Sequence, residues 1–263
     1  MKNSTFQPMR KMSAADVLAT LQETHRQYGV LDGEVDPDVE LALRSTVEEW
    51  READDLIEWR ALGRAMNKEF EVNFSDKEWR DVLEPERKKT LRHVCDLLAE
   101  KAYRPEIRQI SVFGIECLSA GAFLTLRSAL RNSGVPVEEL RPSTPLEPYL
   151  KNHCAAMMSA LSKMAPHKLP LVEIEYSKCN RASWHLMGTG FLSLILAFLI
   201  NLFTETQVLN WVAGIALFSG LLGIFTSNRF APATLSFSGL QTFRDLVESL
   251  IQPPENEHCM TLV

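Results

Sequence analysis

ASWHLMGTGFLSLILAFLINLFTETQVLNWVAGIALFSGLLGIFTSN, residues 182–228, is the stretch on which the reading of this chain turns. Residues 182–204 hold no Asp, Glu, Lys or Arg, and neither do residues 206–228; each run is 23 residues long, and Glu205 alone separates them. An α-helix needs about 20 residues to cross a hydrocarbon core of roughly 30 Å. The pattern therefore predicts a transmembrane helical hairpin within residues 177–229, with spans at about 184–204 and 207–227 and the lipid bilayer as a partner. Lys178 and Arg181 precede the first run, Arg229 follows the second, and the turn carries no basic residue. By the positive-inside bias this predicts a multi-pass protein of the cell inner membrane with both termini cytoplasmic. The charge-free spans argue against a transporter built from the hairpin alone. Small residues recur every fourth position at Thr189, Ser193 and Ala197, and again at Ala216 and Gly220. They permit close helix packing and make a homo-oligomer one expectation.

The rest of the chain has the make-up of an ordinary folded protein. A net charge of -6, with no sizeable Lys/Arg cluster, argues against nucleic acid as a main partner, because phosphate binding requires a basic footprint. The five cysteines, Cys95, Cys117, Cys154, Cys179 and Cys259, include no CxxC and are read as reduced thiols.

Local signals predict a mainly α fold. Ser13 and Asp16 form a capping box ahead of Val17, Leu18, Leu21 and Tyr28, with Gly29 as the stop, which places an amphipathic helix in residues 1–30. Asp36-Pro37 reads as an N-cap followed by proline, with Val39, Leu43, Val47 and Trp50 as the apolar stripe of the helix it opens. A helix from about 55 to 70 would carry Trp59, Leu62, Met66 and Phe70. Ser75 and Glu78 make a second capping box, and Thr90 caps a helix with Leu91, Val94 and Leu98. Residues 31–103 thus form a helical bundle. Residues 104–176 read as a small α/β linking region: an extended run at 109–114, helices at 119–132 and 150–164, and a β-like end at 169–176. Residues 230–263 are an amphipathic tail with two uses open to it, lying on the membrane surface or docking on the helical part, and its acidic residues favour docking. No internal repeat is visible.

Residues 36–103 resemble the acyl-carrier-protein fold. The matching pieces are Asp54-Asp55-Leu56, Lys68-Glu69-Phe70-Glu71-Val72 and the run from Thr90 to Asp96. The resemblance implies a four-helix carrier unit in which a serine bears a phosphopantetheine arm. Here Asp55 stands at the expected serine position, and a carboxylate cannot form that phosphodiester. The module is thus expected to be a degenerate carrier domain kept for protein contacts, without a cofactor.

Three constellations could carry chemistry. Cys117 lies on a strand-to-helix turn, where a helix N-terminus lowers a thiol's pKa; it is the one catalytic candidate, with His93 or His153 as a base, and a buried structural thiol is the reading set against it. His93, Cys95, His153 and Cys154 lack ligand spacing, so no metal is expected. Asp54, Asp55 and Glu58 are sufficiently explained as first-turn charges of a helix. The functional expectation is a membrane-tethered, non-catalytic interaction or scaffolding protein with a cytosolic or membrane protein partner. The alternatives are a thiol-dependent enzyme, an acyl-carrier partner, or a membrane-perturbing effector that oligomerises through the hairpin.

Overall fold

The computed structural model describes residues 8–56, 58–175 and 234–252, with a few separate positions between 182 and 218. The chain divides into two units, Met1–Glu173 with Ser236–Val263, and Ile174–Leu235. The larger unit is a helical body with short antiparallel ribbons.

Its first helix, α1 (Ala14–Leu31), begins where the sequence places it. Ser13 Oγ accepts the Asp16 N–H at 3.1 Å, and the Asp16 carboxylate accepts the Ser13 N–H at 2.9 Å, so two otherwise orphaned donors are satisfied reciprocally. Short α2 (Val47–Ala53) follows the same device at Thr46 and Glu49. Then come α3 (Trp59–Glu69), α4 (Asp76–Leu83) behind the Ser75 box, and α5 (Leu91–Lys101) behind Thr90. Their apolar faces meet in one core built on Val17, Leu21, Trp50, Leu62, Trp79, Leu91, Val94 and Leu98. Gly63 allows α3 to close on α4: a Cβ there would stand 2.6 Å from the Trp79 ring.

The second stretch holds α6 (Leu118–Asn132), α7 (Glu147–Met164, interrupted at His153, φ -137 and ψ 28) and α8 (Phe243–Ile251). Helix α8, the amphipathic part of the tail, packs against α6. Strand β1 (Met9–Lys11) pairs with β2 (Tyr103–Pro105), β3 (Ile110–Val112) with β4 (Ile115–Cys117), and β5 (Val172–Glu175) with β6 (Thr234–Phe237). A polar seam ties α1 to residues 167–172. The fully buried Glu23 carboxylate accepts from Arg26, Gln27 and the His167 N–H, and Gln27 Oε1 accepts the Val172 N–H at 3.0 Å. Each oxygen is paired, as a buried charge requires.

Several expectations are corrected. The predicted spans at 184–204 and 207–227 lie almost wholly outside the described residues. Among the described residues no helix is long and apolar enough to cross a membrane. The longest, α1 and α7, have 18 residues each, and both carry charges, Asp16, Glu23 and Arg26 on one, Glu147, Lys151 and Lys163 on the other. The transmembrane hairpin, and with it the multi-pass inner-membrane assignment, is therefore withdrawn. In the smaller unit, Trp184, Phe191, Leu192, Ile195 and Phe218 are helical and exposed. No helix starts at Asp36: residues 36–46 run as turns and extended chain, with Leu41 buried and Val39 and Leu43 half-buried. Helix α3 starts at Trp59 rather than near 55, because Asp55 sits in the left-handed region, φ 44, where a right-handed helix cannot pass. Gly29 does not stop α1. It is needed for packing, since a Cβ there would lie 3.0 Å from Pro37.

Candidate functional site

The β3–β4 hairpin, the start of α6 and one face of α8 enclose a groove of about 450 Å³. Its apolar walls come from Ile110, Val112, Phe123, Leu124 and Val247, and Arg244 and Glu248 stand among its lining. The hairpin closes through Phe113 and Gly114, both at positive φ (52 and 81). Two consecutive positive φ values match the right-handed strand twist, which is why Asn-Gly is the usual pair at such a turn. Phenylalanine in the left-handed region instead costs on the order of 1–2 kcal/mol. It packs on nothing in return: Phe113 is fully exposed, and Ile115 is 73% exposed beside it. Val112, Leu118 and Leu124 extend the exposed apolar surface. At the hairpin's base, Gly121 lets α6 meet the preceding chain, since a Cβ there would fall 1.8 Å from the Arg108 carbonyl oxygen.

Cys117 is the N-cap of α6, on a strand-to-helix turn, and its Sγ accepts the Ala120 N–H at 3.4 Å. That is the thiol's one hydrogen bond among the described residues, and no histidine is bonded to it. His93 Nδ1 instead accepts the Thr90 N–H at 3.1 Å and completes a capping box. His153 interrupts α7, its ring 6.4 Å from that of Tyr149. Burial pushes the Cys95 thiol up to about 12 and raises that of Cys154, so neither supplies a thiolate near neutral pH. No group of three or more His, Cys, Asp or Glu is placed to hold a metal among the described residues.

The carboxylates around Asp55 separate into different tasks. Asp54 accepts the Trp50 Nε1–H at 2.7 Å and a short hydrogen bond from His25 Nδ1, while His25 Nε2 faces the Val39 carbonyl at 2.9 Å. This arrangement, missed by sequence reasoning, resembles a catalytic dyad in composition. Both ring nitrogens face acceptors and the histidine is buried, so no nitrogen is left to serve a substrate. Asp55 stands in the turn between α2 and α3, and Glu58 is the N-cap of α3 without a side-chain cap bond. A hydrogen bond and the like charge of Asp55, with Asp32 nearby, raise the Glu34 carboxyl.

Compared with protein-family models, curated proteins and solved structures, the chain gives no match.

Proposed function

We propose that this chain is a non-catalytic protein-interaction module whose contact face is the β3–β4 hairpin with the groove beside it. One observation carries the reading: Phe113 occupies a turn position that disfavours it and is fully exposed there. Backbone strain combined with an unpartnered aromatic side chain is what a binding anchor shows before its partner arrives. The chemistry elsewhere points the same way, because the buried histidine is saturated and two of the thiols are raised by burial. The carrier-like segment fits such a role as well, since Asp55 cannot form a serine phosphodiester and no serine lies between Thr46 and Ser75.

Phe113→Asn separates structure from function. Asparagine tolerates the left-handed region, so the variant should fold with a melting temperature equal to or above that of the parent. Proteins co-purifying with the parent chain should be lost from the variant. Retention of the same proteins by a folded F113N chain would exclude the hairpin as the contact face.

A further inference from the structure

The turn before α2 and the turn before α5 are joined by backbone hydrogen bonds in a pattern that occurs a second time. Thr46 and Thr90 form an antiparallel bridge, with Val47 N–H bonded to the Lys89 carbonyl, Leu91 N–H to Ser45 and Arg92 N–H to Leu43. Pro145 and Thr242 form the matching bridge, with Leu146 N–H bonded to Gln241, Phe243 N–H to Thr144 and Arg244 N–H to Pro142. The spacings are the same on both strands of the two sets. Even the local turn is kept: Ser45 Oγ accepts the Ala42 N–H at 3.0 Å, and Thr144 Oγ1 accepts the Arg141 N–H at 2.9 Å.

The helices around the two bridges correspond as well. Buried Leu91, Val94, Cys95 and Leu98 of α5 occupy the same relative positions as buried Phe243, Leu246, Val247 and Leu250 of α8. On α1, Val17, Thr20 and Leu21 match Ala122, Thr125 and Leu126 of α6, and each threonine bonds the carbonyl four residues before it. The interruption of α7 at His153 falls where the first set breaks between α2 and α3.

We infer that residues 14–101 and 118–251 are two copies of one helical module, and that the second copy is opened between α7 and α8 by the segment carrying the smaller unit. Where the first copy has α4, the second has that insertion. The copies also differ at the strand leading into the first helix: β1 is paired by β2 from beyond α5, whereas β4 is paired by β3 from just before it. The Phe113 hairpin thus leads into the second copy and has no counterpart ahead of the first. Loop closure penalises long insertions only weakly, so a module can carry one between two helices.

Amide hydrogen exchange on the full chain tests the duplication. Val47, Leu91 and Arg92 should exchange as one set, and Leu146, Phe243 and Arg244 as another, each slower than its flanking turns. Arg92 and Arg244 have exposed side chains, so R92P and R244P remove little beyond one amide donor, and α7 already accepts a proline in its first turn at Pro148. R92P should speed exchange at Val47 and Leu91 at least about tenfold and leave Leu146 and Phe243 unchanged; R244P should do the reverse. Independent, unprotected exchange of Leu146 and Phe243 in the unaltered chain would overturn the inference. So would a folded R244P chain whose Leu146 and Phe243 exchange as before. If R244P does not fold, the exchange of the unaltered chain decides alone.

Discussion

Thr90 and Thr242 open helices of one design in two different settings. The first closes a module whose helices follow one another without a break, from α1 to α5; the second closes a module whose chain departs after α7 and returns only at β6. The first buries Trp50 and Trp79, the latter on α4, which the second lacks; on the matched helices Val17 of α1 becomes Ala122 of α6, while Leu91 and Cys95 of α5 become Phe243 and Val247 of α8. A helical module can therefore keep its hydrogen-bonded frame while the filling of its core changes, because the frame is made by backbone groups and the filling by side chains.

The largest effects should come from that filling. Trp79→Ala removes a ring that is 1% exposed, packed on Phe74 with centroids 5.9 Å apart and bonded to Asn67, and should lower unfolding free energy by about 3–5 kcal/mol in denaturant titration. Leu126→Ala in the second module should lose about 2–5 kcal/mol, towards the lower end if the smaller neighbours there collapse around the gap. A loss larger for Leu126 than for Trp79 would reverse the comparison.

The caps should follow. Thr242 Oγ1 accepts the Asp245 N–H, and Thr242→Ala should cost about 1 kcal/mol. At Thr90 the hydroxyl meets the His93 ring nitrogen at 3.1 Å, and the His93 N–H bonds the Thr90 carbonyl, so Thr90→Ala should cost less, by the same titration.

Acid provides the smallest and most selective difference. The backbone N–H groups of Thr242 and Gln241 hold the Asp245 carboxyl below the ordinary carboxylate range. A depressed native pKa contributes stability that is complete above the unfolded value, about 3.9, and is lost as pH falls through the lower native value. The corresponding residue in the first module is His93, so that cap has no carboxylate to lose. Between pH 5 and about pH 3, the protection factor of Phe243, taken relative to intrinsic exchange at each pH, should therefore fall more than that of Leu91, and Asp245→Asn should abolish the excess.

The sequence exposes these elements unevenly. Helix starts at Ser13, Ser75 and Thr90 were legible because a hydroxyl and its partner three residues on satisfy each other locally. The start at 47 was hidden by Asp36-Pro37, a correct local signal overruled by distant bonds: Gln22 Nε2 donates to the Leu41 carbonyl and Arg92 N–H to Leu43, which hold that segment out of a helix. The repeat was invisible because main-chain bonds constrain side chains so weakly that Leu43 is matched by Pro142. At the candidate site, the position of Cys117 on a strand-to-helix turn could be read from the chain. The exposure of Phe113 could not, since an apolar run with glycine reads equally as buried strand. The charge-free runs at 182–228 carry their signal in length alone, which says how far a helix could reach and not what it packs against.

The interrupted layout of α6, α7 and α8 has a consequence during synthesis. A ribosome delivers α1 to α5 as one continuous piece, and that core can close as soon as Lys101 has emerged. The face of α6 that meets α8 must wait for Leu250, some 86 codons after Met164, or roughly 4–17 s at ordinary elongation speeds. Throughout that interval the side of α6 that meets α8 has no lid, so a nascent chain of this protein offers apolar surface to chaperones from its second half and not from its first.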